Sequence, residues 1–273
     1  MKKVLAVFGV ILGIALLGGF GYVFFVMDEN DPATMFVNNP ETTQTVEKSK
    51  LNVKKKAETP AEIQEALDYE TSVNQDTVAW IDIPGTDINN SVLQSYDNSY
   101  YLRRNERRQE EVYGCYFADY ECSIGSREEL TPNVVIYGHS DLKDNPNGPR
   151  FSQLFKFTDP EFAKNTPVIH LSTLKEFLNW EIFAVLYTDL DFRFIDAYPE
   201  QGVDQMAAVA MEKSLYDYGV TVGPEDNVLV LSTCTIKYGA NDTNHRYVIM
   251  ARLLPEDAEV PTTANIEVKT PAE

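Results

Sequence analysis

The sequence predicts a mainly β domain, a barrel or a sandwich, with one helix inserted late in the chain and one apolar helix ahead of the whole domain. Three observations predict this. About eight short runs rich in β-branched and aromatic residues are separated by turn signals, the pattern of an all-β domain. The segment 200–218 breaks that rhythm, with Val203, Met206, Ala207, Val209, Ala210, Leu215 and Tyr216 at mostly helical spacing. Finally, residues 4–27 carry no charged side chain, which is enough to span a bilayer as a helix.

Lys2 and Lys3 precede that apolar segment and Asp28, Glu29 and Asp31 follow it. An apolar stretch of this length, with acids behind it in place of a small-residue cleavage site, reads as an uncleaved anchor. The positive-inside rule then leaves residues 1–3 in the cytoplasm and the rest outside the cell. Residues 28–57 are polar, rich in Asn, Thr, Pro and Lys, and read as an extracytoplasmic linker. Its cluster of Lys48, Lys50, Lys54, Lys55 and Lys56 is a solvated tether or a contact with anionic headgroups or wall polymers.

The globular domain is expected over 58–255, with 256–273 a C-terminal tail. A helix is predicted to begin at Thr59-Pro60-Ala61-Glu62, where a threonine cap precedes a proline at the first helical position. Ile63, Ala66 and Leu67 supply its apolar stripe. Strands are then predicted at 78–83, 91–94, 112–118, 133–137, 168–172, 181–187, 227–233 and 246–254. The formal charge of −19 excludes a nucleic-acid partner, because phosphate binding needs a basic face.

Chemistry points to two places. Cys234 closes the apolar run that begins at Asn227, and Arg246 opens the next one twelve residues later. The intervening segment holds Gly239, Asn241, Asp242 and Asn244, so an antiparallel return is the simplest connection. Such a return sets Cys234 and Arg246 side by side. Three cysteines outside the cell leave at least one thiol unpaired, and a Cys115 to Cys122 bridge stays open at this point.

Of the three histidines, His139 ends the run Val134-Val135-Ile136-Tyr137-Gly138, at a strand terminus with a glycine permitting close approach. His170 lies inside a strand and reads as an outward or packed residue. His245 adjoins Arg246, and adjacent strand residues face opposite ways, so it is expected to point away from the thiol. A thiolate with a histidine suffices for acyl transfer, and a guanidinium can stabilise the oxyanion that forms. Zinc held by Cys234, His139 and His245 is disfavoured, since the short-range ligand spacing of structural zinc sites is absent.

These residues carry a resemblance to the class B sortases. It rests on Leu231-Ser232-Thr233-Cys234, Tyr137-Gly138-His139 and Arg246 in Arg246-Tyr247-Val248-Ile249-Met250-Ala251. It also rests on Asp76-Thr77-Val78-Ala79-Trp80-Ile81-Asp82-Ile83-Pro84-Gly85-Thr86, on Asp97 to Leu102 and on Gly114 to Tyr120, so it covers about residues 60–255. The resemblance implies an eight-stranded β-barrel with N-terminal helices and a helix before the strand that carries Cys234.

It also implies a membrane-anchored cysteine transpeptidase of a Gram-positive cell. Such an enzyme cleaves a sorting signal after threonine, holds a thioester on cysteine and passes it to an amine of a peptidoglycan precursor or a pilin lysine. On that reading Cys234 is the nucleophile, His139 the acid/base residue and Arg246 the substrate and oxyanion clamp, with no cofactor and no metal. Asn98, Leu102, Phe194, Ile195 and Ser232 map to the peptide groove. The chain departs from the family pattern in the long segment 140–150 and in Thr235, where some relatives carry an acid. A thiol peptidase that hydrolyses its thioester, and a non-catalytic barrel that binds wall proteins, are the alternatives.

Overall fold

The computed structural model describes residues 59–269. The anchor over 4–27 and the linker over 28–57 fall outside the described residues. Among those described, no helix is long and apolar enough to cross a membrane.

Eight strands close into a barrel in the order β1 (Thr77–Asp82), β2 (Asn89–Gln94), β3 (Tyr116–Ala118), β4 (Asn133–Tyr137), β8 (Val228–Cys234), β9 (His245–Leu253), β6 (Phe177–Asp189) and β5 (Val168–Thr173). Closure is what the open choice between barrel and sandwich comes down to. β5 pairs with β1, so no barrel strand is left with a bare edge along its whole length. Two of the neighbour pairs, β2 with β3 and β4 with β8, run parallel, and the rest are antiparallel.

Helix α1 (Ala61–Val73) precedes the barrel and buries Leu67. Its start differs from expectation. Pro60 is the residue before the helix, in extended conformation, and its own carbonyl accepts the first-turn hydrogen bond from Gln64 N–H. The capping position thus falls on Pro60 and not on Thr59, and it has no side-chain cap. β3 is shorter than predicted, because Gly114 turns the chain at φ +52 and leaves Val112 exposed ahead of it. β6 is longer than predicted. Its middle is buried on both faces and so lacks the alternation that marks a strand in sequence.

Those two faces belong to two cores. One fills the barrel, with Ile81, Trp180, Ile182, Leu229, Leu231, Tyr247 and Ile249 among its residues. The other lies outside the barrel wall, where Phe183, Ala184, Leu186, Val228, Val230, Val248 and Met250 meet α3 (Val203–Lys213). The inserted helix is thus present but shorter than 200–218. Gly202, at φ +87, starts it, and at Ser214 the chain turns extended to form β7 (Tyr216–Asp217). The Ser214 hydroxyl meets Val185 N–H at 3.0 Å and ties that turn to the barrel.

The described part of the segment read as a C-terminal tail, up to residue 269, packs on the domain. β10 (Glu267–Val268) pairs with β7, and Ala264 N–H donates to the Lys164 carbonyl in α2 (Pro160–Asn165). Cys115 and Cys122 are buried free thiols, not a disulfide. Burial raises the Cys115 pKa strongly and that of Cys122 to about 11, so both are poor nucleophiles at neutral pH.

Tyr247 tests the packing of the barrel core. Its ring lies 4.6 Å from that of Phe155 and 4.8 Å from that of Tyr187, while its fully buried hydroxyl has no hydrogen-bond partner among the described residues. An unsatisfied buried hydroxyl is destabilising, whereas the ring contributes contact area. Calorimetry is expected to show that Tyr247→Phe keeps or raises the melting temperature, and that Tyr247→Ala costs about 3–5 kcal/mol.

Candidate active site

Strand register assembles the site. Cys234, the last residue of β8, is directly opposite Arg246 of β9, as the antiparallel return predicted. Directly paired side chains share a face, with Cβ atoms about 4.5–5.5 Å apart. β4 runs parallel to β8 with Tyr137 level with Ser232, so two residues further along each chain His139 is level with Cys234. A Gly138 N–H bond to the Ser232 carbonyl at 3.3 Å and a Ser140 hydroxyl bond to the Cys234 carbonyl at 2.7 Å carry that pairing beyond the strand ends.

The face is the outer one, shared with Val228 and Val230 of the second core. There the core opens into a cleft of about 300 Å³ lined by Asn98, Leu102, Phe117, Tyr137, Gly138, His139, Leu190, Ile195, Ser232, Thr233, Cys234 and Arg246. Seven of the eight residues assigned from the sequence line it. Phe194 does not. It is fully buried in the core beneath α3, because the chain from Leu190 to Ala197 turns Ile195 to the cleft and Phe194 to the packing side. Cys234 is exposed, unlike the other two cysteines.

His139 is held by a backbone group that sequence reasoning missed. Its Nε2 lies 2.8 Å from the Leu102 carbonyl, which can only accept, so the imidazole carries its proton on Nε2 and keeps Nδ1 free when neutral. Burial lowers the pKa of His139; the Leu102 carbonyl opposes this and the charge of Arg103 adds to it. The neutral ring therefore persists below the ordinary imidazole value. Leu102 thus contributes its carbonyl to the histidine as well as its side chain to the cleft.

Arg246 is steered by its own loop, with Nη1 donating to the carbonyls of Thr243 at 2.9 Å and His245 at 2.8 Å. His245 does not line the cleft. Its Nδ1 is 2.7 Å from Asp242 and its ring stacks on Tyr238 at 4.0 Å, which removes it from the three-ligand zinc alternative. His170 sits in β5 against Asn179 and Phe177 as a packed strand residue, as expected.

Asn98 is fixed through a partner the sequence did not single out. Its Nδ2 donates to buried Asp119 at 2.7 Å, its Oδ1 accepts from Tyr120 N–H at 3.0 Å, and Tyr137 donates to the same Asp119 oxygen at 2.7 Å. Asp119 lay within the motif Gly114 to Tyr120, but only the fold brings it beneath the cleft.

A strand-end thiol, a histidine and an arginine thus share the wall of one open cleft on a β-barrel, an arrangement able to support a cysteine nucleophile. Residues 81–254 match the sortase domain family. The chain is 30% identical to sortase B of Listeria monocytogenes over 82% of its length and 87% of that protein. It superposes with a TM-score of 0.61 on the Staphylococcus aureus sortase B–substrate complex and on a sortase B complexed with triglycine, each at 24% identity over 70% of this chain and 86% of theirs. The chain belongs to the sortase family, whose members are cysteine transpeptidases.

The strand end that carries His139 can be probed in two ways. A Cβ added at Gly138 would meet the Phe151 ring at 2.7 Å and the Tyr116 ring at 3.0 Å, so Gly138→Ala is expected to cost about 1–3 kcal/mol in urea denaturation and to lower activity by displacing the neighbouring His139. In an NMR titration of the imidazole protons, with His139→Asn giving the assignment, His139 is expected to titrate below 6.5. Its folded pKa is lowered, so between the folded value and 6.5 the unfolded chain binds more protons. Stability should then rise with pH across that window, and less steeply in His139→Asn.

Proposed function

We propose that the chain is a membrane-anchored transpeptidase that cleaves a C-terminal sorting signal after threonine and joins the new carboxyl end to an amine of a cell-wall precursor or a pilin. The observation that carries the reading is the register that sets Cys234 against Arg246 on one side and His139 on the other, in a cleft open to solvent. Cys234 gives its thiol proton to neutral His139 as its sulfur attacks the scissile carbonyl carbon, and the Arg246 guanidinium donates hydrogen bonds to the oxyanion. Collapse of that intermediate breaks the C–N bond while protonated His139 gives its proton to the leaving amine. The incoming amine then attacks the thioester, loses a proton to His139 and releases the Cys234 thiolate.

Asn98, Leu102, Ile195 and Ser232 would line the path of the peptide, with the Asn98 amide held ready by Asp119. A peptide substrate is supported by analogy with the Staphylococcus aureus sortase B–substrate complex, and an amine acceptor by analogy with the sortase B complexed with triglycine. Anchorage with the catalytic domain outside the cell is supported by residues 4–27 and by Lys2 and Lys3 ahead of them.

The test is to incubate the full chain with sorting-signal peptides and an amine, and to follow the products by mass spectrometry. An acyl adduct on Cys234 and an amide product are expected; the absence of any adduct with every peptide would sink the reading. Hydrolysis without amide formation would identify a thiol peptidase, and full activity in Cys234→Ala a non-catalytic binding barrel. Arg246→Lys keeps the charge but loses the planar fork, and it is expected to lower kcat roughly 10²–10³-fold. His139→Asn is expected to cost on the order of 10²–10⁴-fold.

A further inference from the structure

The two departures from the family pattern meet in space. The carboxylate of Asp144, in the long segment after His139, accepts a hydrogen bond from the Thr235 hydroxyl at 2.6 Å and lies 3.1 Å by each oxygen from Ile236 N–H. Thr235 is 3% exposed and directly follows Cys234. An acid at position 235 would repel this carboxylate, whereas a threonine hydroxyl donates to it.

The segment that carries Asp144 is built to present it. Asp141 accepts from the N–H groups of Lys143 and Asn145, and its own N–H donates to the Ser152 hydroxyl. Phe151 N–H returns to the His139 carbonyl at 2.9 Å and closes the loop at its base. Asp144 itself has φ +51, a left-handed conformation that an aspartate tolerates and that persists only where the surroundings hold it. At the other side Ser140 bonds the Cys234 carbonyl.

The loop held by Asp144 is the one that leads to Arg246. Beyond Ile236 it is fixed by Lys237 over the Tyr187 ring at 3.8 Å, by Tyr238 on His245, and by Asp242 accepting from Asn244 and His245 N–H. It ends at the Arg246 guanidinium, bound to the carbonyls of that same loop. Asp144 does not line the cleft, so any effect on chemistry must pass through the groups it holds.

We propose that Asp144 is a positioning residue for acyl transfer: its bonds to Thr235 and Ile236 lock the chain just beyond Cys234 to the chain just beyond His139. The thiol, the imidazole and the start of the Arg246 loop are thereby held in one geometry. The proposal rests on the reading of Cys234 as the nucleophile. A displacement of about 1 Å between reacting groups can cost roughly a hundredfold in rate, which sets the scale of the effect.

The test compares full-length wild type with Asp144→Ala, Asp144→Asn, Thr235→Val, Thr235→Ser and the Asp144→Ala/Thr235→Val double variant. Melting temperature, kcat and KM for a sorting-signal peptide, and the rate of Cys234 alkylation by iodoacetamide would be measured for each. Asp144→Ala and Thr235→Val are each expected to lower kcat roughly ten- to a hundredfold with KM within about twofold. The double variant should fall no further than the worse single one, because both changes remove the same bond. Thr235→Ser, which keeps the hydroxyl, should retain wild-type kcat, and Asp144→Asn, which keeps shape and one carbonyl oxygen, should fall between wild type and Asp144→Ala. A melting temperature that drops while kcat holds would make Asp144 a structural residue only and overturn the proposal, as would additive losses or a Thr235→Ser variant as slow as Thr235→Val. Were the wild type to form no thioester, the transpeptidase reading would fall by itself. Alkylation would still decide the role of Asp144: a rate altered more than about fivefold in Asp144→Ala supports it, and an unaltered rate removes it.

Discussion

The pairing of β8 with a parallel neighbour on one side and an antiparallel neighbour on the other is the constraint from which the site follows. A parallel partner brings the C-terminal end of β4 to the same barrel edge as the C-terminal end of β8, and an antiparallel partner brings the start of β9 there. Three chain ends therefore converge at one rim without any of the three residues being near another in sequence, apart from Cys234 and Arg246. Because side chains alternate along a strand, register decides face as well as level. A slip of one residue in β8 would turn Cys234 into the barrel and Thr233 out.

The second core gives that rim its chemical character. The outer faces of β6, β8 and β9 share one apolar core with α3, while Cys234 at the end of β8 is exposed. An apolar trough thus runs out into solvent where Tyr137, Leu190 and Ile195 border the thiol. Desolvation lowers the pKa of His139 at the same place, while backbone carbonyls fix His139 and Arg246. Backbone carbonyls touch the imidazole and the guanidinium directly, while the Asp144 carboxylate acts on them only through the chain it holds.

The strands and the three central residues were legible because their signals are local. A β-branched run ending in cysteine, or a run ending in Tyr-Gly-His, declares a strand and its terminus by composition alone. The elements that were misjudged each depend on distant contacts. β6 lost its alternation because both faces are buried, α3 ends early because Tyr216 and Asp217 are claimed by Glu267 and Val268, and the first helix has Pro60 in place of Thr59 at its capping position. Phe194 and Ile195 could not be told apart by type, since both are large and apolar. Which one faces the cleft was settled by the path of the chain between β6 and α3.

Residue types and spacing by themselves determined a mainly β domain, a thiol ending one strand, an arginine opening the next and a histidine at a third strand end, and the resemblance of its motifs pointed to the sortase family. Only the tertiary structure decided the closed barrel, the free state of Cys115 and Cys122, the carbonyl of Leu102 behind His139, the Asp119 support under Asn98 and the bond from Asp144 to Thr235. The division has a physical reason. Periodicity and turn chemistry are properties of neighbouring residues, whereas a hydrogen bond between residues 91 positions apart exists only once the barrel has closed and brought the two loops to the same rim.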